Sequence, residues 1–482
     1  MKLRELLAGV PICAGSADLE MEISGVSYDS RTTRPGDLFV AMTGFATDGH
    51  QYIAKALANG AAAVLCQRRP AEACAYVQTE DSRRALAVIG GNWFGHPAEE
   101  MTMIAVTGTC GKTTTTYLLK AILEQARGAK VGLIGTNQNM IGSDVIPTER
   151  TTPESFEVQK LFREMADAGC THVVMETSSH ALYLDRVYGV RYDVGIFTNL
   201  TQDHLDFHKT MENYCDAKAI LFRNCVTGVV NADDPWTPRL LKDADCKVMT
   251  YAEQADADLR AENIVLSAGG IAFDAVSGAE RVPIRVNIPG GFMVYNTLDV
   301  LGAALALGIS LEESAVVLAK VPHVKGRVEI VPTPGKDYTI LIDYAHTPDS
   351  MVNVLQTVKE FAKGRTVAVF GCGGDRDRTK RPLMGKAAAD WSDFAVVTTD
   401  NPRTEEPEAI IAEILPGFDG SATPYHVVVD RIEAIHWAMD HAETDDVIVL
   451  CGKGHETYQE VNHVKHHMDE REIVADYLSS GR

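Results

Sequence analysis

The residues best suited to a chemical role form a glycine-lysine-threonine loop, Val106-Thr-Gly-Thr-Cys-Gly-Lys-Thr-Thr114, directly after an apolar run. Glycines let successive backbone N–H groups converge on a phosphate, the Lys112 ammonium adds positive charge, and the Thr113 hydroxyl can bind a metal ion. The usual Walker spacing would place a glycine where Val106 stands, and the nearest earlier glycine is Gly108. The loop therefore predicts ATP binding through a compact phosphate loop, with the contacts made by Gly108, Thr109, Gly111, Lys112, Thr113 and Thr114.

Two polar clusters follow later apolar runs, Glu176-Thr-Ser-Ser-His180 and Asn199-Leu-Thr-Gln-Asp-His-Leu-Asp206. Carboxylate, hydroxyl and imidazole groups are suitable ligands for a metal ion beside the phosphates of ATP. Taken singly, Glu176 or His204 is more simply explained as an ordinary polar residue at a strand end. Together with the phosphate loop, the clusters favour a magnesium site.

Four further polar motifs lie in the last third of the chain. Each follows an apolar run, as ligand-binding residues do at the carboxyl ends of parallel strands. Glycine, proline, aspartate and asparagine are common turn residues, so each motif alone is also consistent with a solvated turn. Four at successive strand ends indicate a second ligand-binding edge. They are Asp343-Tyr-Ala-His-Thr-Pro348, Gly371-Cys-Gly-Gly-Asp-Arg-Asp-Arg378, Asp400-Asn-Pro-Arg403 and Gly452-Lys-Gly-His-Glu456.

The elements that must position these motifs are short apolar strands alternating with helical spacers, a pattern typical of parallel α/β sheets. At 482 residues the chain is too long for one core, and the pattern restarts twice. We predict an α/β protein with a small domain over 1–100, a central domain over 101–326 and a third over 327–482. Residues 258–290 look like an antiparallel edge. The main predicted strands are 21–28, 37–41, 62–66, 104–107, 131–134, 172–175, 194–198, 228–231, 339–342, 366–370, 394–398 and 447–451.

Composition excludes several classes of protein. A net charge of −21 disfavours non-specific binding to nucleic acid or to an anionic membrane. The ten cysteines form no CxxC pair and no dense cluster, so neither a zinc site nor a disulfide framework is indicated. Leu6–Ala14 is read as a short first helix rather than a signal peptide, and no apolar run is long enough to span a bilayer. We expect a cytoplasmic monomer.

The motifs from Asp29-Ser-Arg31 through Gly452–Glu456 resemble those of the Mur ligases, and the resemblance covers essentially the whole chain. It implies a small N-terminal α/β domain for the UDP end of a substrate and a central ATPase domain. That central domain has a mostly parallel sheet covered by helices on both faces. The resemblance also implies a C-terminal Rossmann-like domain for the amino acid and ATP. The implied activity is ATP-dependent addition of meso-2,6-diaminopimelate to UDP-N-acetylmuramoyl-L-alanyl-D-glutamate through an acyl phosphate, in peptidoglycan precursor biosynthesis.

The resemblance also assigns the catalytic and metal-binding residues. Thr113 and Glu176 would hold one magnesium ion and His204 a second, and Lys112, Lys218 and His204 would be catalytic. Lys218 matches the lysine that Mur ligases carry as an N-carbamate (N6-carboxylysine), whose oxygens would face magnesium where an ammonium would be repelled. Without the resemblance, Lys218 would be read as a surface lysine on a helix.

Further matches concern the two nucleotides. One departure from the family is Met293, where an asparagine is frequent, so no nucleotide contact is expected there. The residues matched to the UDP-linked substrate are Ser30, Arg31 and the nearby His50 for its UDP group, Thr151, Thr152, Ser178 and Arg186 for its muramoyl dipeptide, and Lys218. Those matched to ATP beyond the loop are Asn296, Arg327, Asp343 and His346.

The choice of amino acid is assigned to Asp400-Asn-Pro-Arg403, which resembles the motif of enzymes that add meso-diaminopimelate. Arg403 and Arg376 can bind the distal carboxylate, and Glu456 can pair with the ammonium. L-Lysine lacks that carboxylate and would leave Arg403 buried and unpaired, at a cost of roughly 3–5 kcal/mol. The predicted amino-acid site comprises Arg376, Asp400, Asn401, Pro402, Arg403, Gly452 and Glu456.

Three alternatives stay open. The same reaction could use L-lysine, or the chain could be a ligase like folylpolyglutamate synthetase, although Asp29-Ser-Arg31 and Asp400–Arg403 argue against the latter. A non-catalytic nucleotide-binding regulator of the same fold is the third. It should have lost Lys112, Glu176 or Lys218, and all three are present.

Overall fold

The computed structural model describes residues 1–44, 47–148, 150–267, 269–321 and 324–480, without the side chain of Asp206. The chain divides into two compact units, unit 1 with residues 1–258 and 299–309 and unit 2 with residues 259–298 and 310–482. Unit 1 begins with a sheet of strand order β1-β5-β4-β3-β2, parallel except for β1. Its elements are α1 (Leu3–Leu6), β1 (Ala14–Gly15), β2 (Gly25–Ser27), β3 (Asp37–Val40), α2 (Ile53–Ala58), β4 (Ala63–Cys66), β5 (Tyr76–Gln78) and α3 (Ser82–Phe94).

The rest of unit 1 is a larger α/β region, in which six strands in the order β13-β12-β11-β6-β10-β7 are parallel. Strands β8 and β9 extend the β7 edge in antiparallel fashion. Helix α4 packs on β6, β7 and β10. The elements are β6 (Thr102–Thr107), α4 (Lys112–Arg127), β7 (Val131–Ile134), β8 (Asn139–Ile141), β9 (Asp144–Ile146), α5 (Ser155–Asp167), β10 (His172–Glu176), α6 (Ser179–Tyr183), β11 (Tyr192–Phe197), α7 (Leu205–His208), α8 (Met211–Ala219), β12 (Cys225–Asn231), α9 (Thr237–Leu240) and β13 (Lys247–Ala252).

Unit 2 opens with an antiparallel meander, as the interrupted pattern over 258–290 predicts. Two helices follow it, and the first of them crosses the division between the units. The elements are β14 (Leu259–Ser267), β15 (Gly270–Ser277), β16 (Glu280–Val286), α10 (Phe292–Ala306) and α11 (Leu311–Leu318).

The remainder of unit 2 is a six-stranded sheet of order β17-β18-β22-β19-β20-β21, parallel except for β17, with a separate hairpin β23–β24. Two apolar cores lie on this sheet, with Met384 in one and Ile435 in the other. The elements are β17 (Glu329–Val331), β18 (Thr339–Asp343), α12 (Pro348–Lys359), β19 (Thr366–Phe370), α13 (Lys380–Trp391), β20 (Phe394–Val397), α14 (Pro407–Ile414), β21 (Tyr425–Val427), α15 (Arg431–Asp440), β22 (Val447–Cys451), β23 (Tyr458–Val461), β24 (Val464–His467) and α16 (Glu470–Ser479).

The predicted α/β class is confirmed, but the predicted first helix over Leu6–Ala14 is wrong. The helix spans Leu3–Leu6, and the segment after it passes through Gly9 in a left-handed conformation (φ +79°). Pro11 then removes a backbone donor, so the helix cannot continue, and Ala14 instead pairs with β5. Among the described residues, no helix is both long and apolar enough to cross a membrane.

Candidate active site

The phosphate loop joins β6 to α4, and two glycines determine its shape. Gly108 has φ +151°, and a Cβ there would lie 1.8 Å from Thr198 Oγ1, so no other residue fits without a shift. Gly111 is left-handed (φ +89°) and precedes the first turn of α4. Lys112 Nζ donates to the carbonyl oxygens of Gly108 and Thr109, each at 2.8 Å. The ammonium is therefore held over the loop, at the amino terminus of a helix, where phosphate oxygens are favoured.

The Glu176 carboxylate lies at the end of β10 and is 1% exposed. It accepts hydrogen bonds from Thr113 Oγ1 and from the backbone and side chain of Thr136, each at 2.9 Å. A Cβ at Gly135 would lie 2.6 Å from Glu176 Oε1, so the close approach requires glycine. None of these donors is a cation, and hydroxyl and carboxylate oxygens are what Mg²⁺ prefers. The Thr113–Glu176 pair fits a magnesium ion bound beside the loop.

Lys218 is 1% exposed, so the alternative of a surface lysine is wrong. It lies on α8, with Nζ 4.5 Å from the centre of the Tyr214 ring. The Tyr214 hydroxyl in turn shares a 3.2 Å hydrogen bond with Thr109 Oγ1 of the phosphate loop. Burial, reinforced by the nearby Lys112 ammonium, lowers the pKa of Lys218 well below its ordinary value. Only the neutral amine of a lysine is nucleophilic, and it is this uncharged form that can react with CO₂ to give a carbamate.

His204 lies at the start of α7 in a left-handed conformation (φ +53°), and its side chain is 47% exposed. Its ring centre is 4.8 Å from that of His180, which belongs to the motif after β10. In the part of the chain that the structure describes, no group of three or more His, Cys, Asp or Glu side chains is arranged to hold a metal. The His180 contact places His204 beside the motif that begins with Glu176 at the end of β10, and metal binding by His204 stays a prediction.

The residues matched to the muramoyl dipeptide form one hydrogen-bonded network around the end of β10. Thr152 Oγ1 donates to the Glu176 carbonyl at 2.8 Å and accepts from the Ser178 backbone N–H at 3.2 Å. Arg186 Nη1 donates to the Thr152 carbonyl at 3.2 Å. Thr151 Oγ1 lies 2.9 Å from the Thr136 hydroxyl, which itself contacts Glu176. The structure thus places Thr151, Thr152, Ser178 and Arg186 beside the candidate magnesium ligand.

The residues matched to the UDP group follow the parallel strands β2 and β3. The Arg31 side chain is 78% exposed and pairs with Asp29 at 2.6 Å, while Ser30 is buried. His50 differs, because both of its ring nitrogens have protein partners. Nδ1 lies 2.7 Å from an oxygen of Asp48, and Nε2 accepts from the Gln67 backbone at 3.0 Å. The exposed Arg31 side chain is accessible to a ligand, whereas the His50 ring is used in contacts with Asp48 and Gln67 within the protein.

In unit 2, three predicted ATP residues, Arg327, Asp343 and His346, lie near the carboxyl end of β18 and around the Tyr344 ring. Arg327 lies 5.5 Å from the centre of the Tyr344 ring, and the His346 ring centre is 4.5 Å from it. Asp343 accepts from the Val328 backbone at 2.8 Å, and burial raises the pKa of its carboxyl.

Asn296 lies on α10 rather than in this cluster, is 3% exposed and donates to Met293 Sδ. Met293, where no nucleotide contact is expected, is fully buried. A nucleotide contact by Asn296 stays a prediction.

The predicted amino-acid motif lies at the ends of β20 and β22. Gly452 has φ +113°, and a Cβ there would lie 2.4 Å from Asp400 Oδ2, so glycine is required. Arg403 and Arg376 both border Gly373, where a Cβ would lie 2.9 Å from Arg403 Nη1 and 3.8 Å from Arg376 Cγ.

Glu456, which is expected from the sequence to pair with the ammonium of the amino acid, already has protein partners. Its Oε2 accepts from Lys453 Nζ at 2.8 Å and from Asn401 Nδ2 at 2.9 Å. Sequence reasoning missed Lys453, which is fully buried. The Gly452–Glu456 motif contained it, but a lysine inside a core is not expected from sequence.

Sequence reasoning also missed His455, whose ring centre lies 4.9 Å from that of Tyr344 in the predicted ATP cluster. Burial and nearby cations, Arg327 first among them, lower the pKa of His455 to about 4. The sequence could have pointed to His455, because it directly precedes Glu456 in the Gly452–Glu456 motif.

Three family profiles match the chain in succession. They are the Mur ligase family catalytic domain over residues 22–92, the Mur ligase middle domain over 106–304 and the Mur ligase glutamate ligase domain over 326–454. The chain belongs to the Mur ligase family.

Relatives of this Mur ligase match along nearly its full length. A UDP-N-acetylmuramoyl-L-alanyl-D-glutamate–2,6-diaminopimelate ligase from Clostridium botulinum is 48% identical over 95% of both chains. A second ligase of this kind, number 1 from Clostridium acetobutylicum, is 47% identical over 99% of both chains. A solved structure of a ligase of that name has a TM-score of 0.74 and 32% identity, and the match covers 100% of this chain and 99% of the other.

Proposed function

We propose that this Mur ligase joins meso-2,6-diaminopimelate to UDP-N-acetylmuramoyl-L-alanyl-D-glutamate with ATP as the energy source, in peptidoglycan precursor biosynthesis. The observation that carries the proposal is that one chain contains both the phosphate loop and the Asp400–Arg403 motif. That chain is 48% identical to a UDP-N-acetylmuramoyl-L-alanyl-D-glutamate–2,6-diaminopimelate ligase. The UDP-linked dipeptide, diaminopimelate and ATP are the proposed partners. The proposed domain bounds are 1–100, 101–326 and 327–482.

The reaction begins with activation of a carboxylate. A carboxylate resists attack by an amine because its oxygen is a poor leaving group, so the glutamyl carboxylate first attacks the γ-phosphorus of ATP. ADP leaves and an acyl phosphate forms. Lys112 and the N–H groups of the loop offset charge on the phosphates during this transfer, which is largely a matter of positioning and electrostatics. The amine of diaminopimelate then attacks the acyl carbon, loses a proton and expels inorganic phosphate.

One magnesium ion would be held by Thr113 and Glu176, and a second by His204. When bound, the ions would neutralise phosphate charge and polarise the phosphoryl group. Lys218, as its N-carbamate, would place a negative charge beside the loop in place of a positive one. The burial of Lys218 and its lowered pKa support this modification, because only the neutral amine reacts with CO₂.

Selection of the amino acid is assigned to unit 2. Arg403 would bind the distal carboxylate of diaminopimelate, with Arg376 close by, while Glu456 Oε1 would accept from the ammonium. The Lys453 and Asn401 contacts use Oε2 of Glu456 and hold its carboxylate in place. L-Lysine supplies the ammonium without the carboxylate.

The test is phosphate release from ATP, with the product analysed by mass spectrometry. We expect release only when the UDP-linked dipeptide, diaminopimelate and magnesium are all present, and a product heavier by one diaminopimelate residue. Release with a folate substrate, or ATP binding without release, would contradict the proposal and favour the folylpolyglutamate-synthetase-like ligase or the regulator.

A further inference from the structure

The hairpin formed by β23 (Tyr458–Val461) and β24 (Val464–His467) is joined by hydrogen bonds to the amino-acid motif. Arg403 forms a parallel bridge with Val461, donating its backbone N–H to Glu460 O at 3.0 Å and accepting from Asn462 N at 2.7 Å. Arg403 has φ +51°, a conformation that residues with a Cβ adopt rarely. The hairpin therefore holds the backbone of Arg403 in a conformation that it would otherwise leave.

The hairpin also fixes the neighbouring residues of the motif. Gln459 Nε2 donates to the Asp400 carbonyl at 2.8 Å. The Glu460 backbone N–H donates to Asn401 Oδ1 at 2.9 Å, and that same oxygen accepts from Lys453 Nζ at 2.8 Å. The hairpin and the motif are thus joined by backbone and side-chain hydrogen bonds at Asp400, Asn401 and Arg403.

The guanidinium of Arg403 has two protein partners. Nε lies 3.2 Å from Glu460 Oε2, and Nη1 donates to the Gly374 carbonyl at 2.7 Å. A guanidinium carries five N–H donors in a planar fork. Glu460 lies against Nε, and the Gly374 carbonyl accepts one N–H of Nη1. Among the described contacts, the donors that remain for a ligand carboxylate are the other N–H of Nη1 and those of Nη2.

We propose that Glu460 is a specificity-determining residue, which orients Arg403 so that its Nη1–Nη2 end receives the distal carboxylate of the amino acid. The inference rests on the proposed function. A long side chain that is already ordered loses less entropy when it binds. Glu460 acts through Arg403 and is a positioning residue. Its effect should appear with diaminopimelate and not with L-lysine, which has no distal carboxylate.

The test compares steady-state kinetics of Glu460→Ala, Glu460→Gln and the wild type. For Glu460→Ala we expect the KM for diaminopimelate to rise about tenfold, the gain from one pre-ordered side chain. The kcat, the KM for ATP and for the UDP-linked dipeptide, and the kcat/KM for L-lysine should stay within about twofold of wild type. Glu460→Gln keeps the size of the side chain but removes the charge that pairs with Arg403 Nε, so its KM for diaminopimelate should lie between those of the wild type and Glu460→Ala.

The matched control is Glu472→Ala, which removes an exposed carboxylate that pairs with His467 of the same hairpin at 2.6 Å. It should leave every constant unchanged. If Glu460→Ala does not fold, Glu460→Asp decides, because a shorter carboxylate cannot keep the 3.2 Å contact and the KM for diaminopimelate should still rise.

Two results would overturn the inference while leaving the proposed function intact: an unchanged KM for diaminopimelate, or an equal loss of kcat/KM with both amino acids. A wild-type enzyme that releases no phosphate with diaminopimelate would overturn both.

Discussion

The phosphate loop of unit 1 and the amino-acid motif of unit 2 are held in shape by different forces. The loop depends on backbone sterics, since Gly108 leaves no room for a Cβ beside Thr198. The motif depends on charged side chains, the most buried being the Arg431–Glu470 ion pair at 2.7 Å, whose side chains are 0% and 1% exposed.

Arg431 joins the ends of the strands that carry the motif, donating to the Cys451 carbonyl at 2.8 Å and to the Thr399 carbonyl at 3.4 Å. A loop built from backbone can bind phosphate whichever amino acid is added. A motif built from charges can discriminate between two amino acids that differ by one carboxylate. The difference implies that removal of a charged side chain should lower the folding stability of unit 2 more than that of unit 1.

The largest expected effect is on the stability of unit 2. Glu470→Ala leaves the fully buried Arg431 without its partner, and removal of one member of a buried ion pair costs about 3–5 kcal/mol of unfolding free energy. Hydrogen exchange measured by mass spectrometry should show faster exchange in peptides of residues 327–480 and unchanged exchange over 102–231. Equal acceleration in both regions would contradict the comparison, and Glu472→Ala, in an exposed pair, serves as the control.

The next effect is on the phosphate loop. Lys112→Met removes the ammonium that should offset charge on the transferred phosphoryl group, and loss of one such group lowers kcat by about 10²–10³. The preference for diaminopimelate over L-lysine should stay unchanged, because the residues predicted to bind the amino acid lie in unit 2 and not in the loop. Lys160→Met, at an exposed site on α5, should keep wild-type turnover. A changed amino-acid preference in Lys112→Met would break the separation of roles.

A smaller effect concerns the pH dependence of unit 1. The pKa of Lys218 is lowered in the folded state, so between that pKa and about 10.5 the unfolded state binds more protons there. The unfolding free energy of the wild type minus that of Lys218→Met should therefore increase with pH, by up to about 1.4 kcal/mol per pH unit. Chemical unfolding in CO₂-free buffer at several pH values measures this. A difference that is flat across the range would indicate a charged Lys218 in the fold.

Much of the fold follows from the sequence because buried parallel strands are short apolar runs, and β7 (Val131–Ile134) and β19 (Thr366–Phe370) coincide with their predicted bounds. The phosphate loop was also predictable, since its glycines and lysine are local signals.

What could not be predicted depends on contacts distant in sequence. The burial of Lys218 results from the packing of α8. The partners of Arg403 also lie far from it in sequence, with Glu460 and Val461 on the hairpin and Gly374 29 residues before it. The occupied Glu456 oxygen likewise requires Asn401, which lies 55 residues earlier.

Selection of the added residue is measured as the ratio of kcat/KM for meso-diaminopimelate to kcat/KM for L-lysine in the wild type. We predict a ratio on the order of a hundred, because lysine lacks the carboxylate that Arg403 is oriented to receive, and a charge-assisted hydrogen bond contributes about 1.5–3 kcal/mol. Arg403 keeps its Glu460 and Gly374 contacts with either amino acid, so the sequence-based expectation of an unpaired Arg403 is wrong and its larger cost does not apply. Equal values for the two amino acids would contradict the claim that the Asp400–Arg403 motif selects the residue that is added.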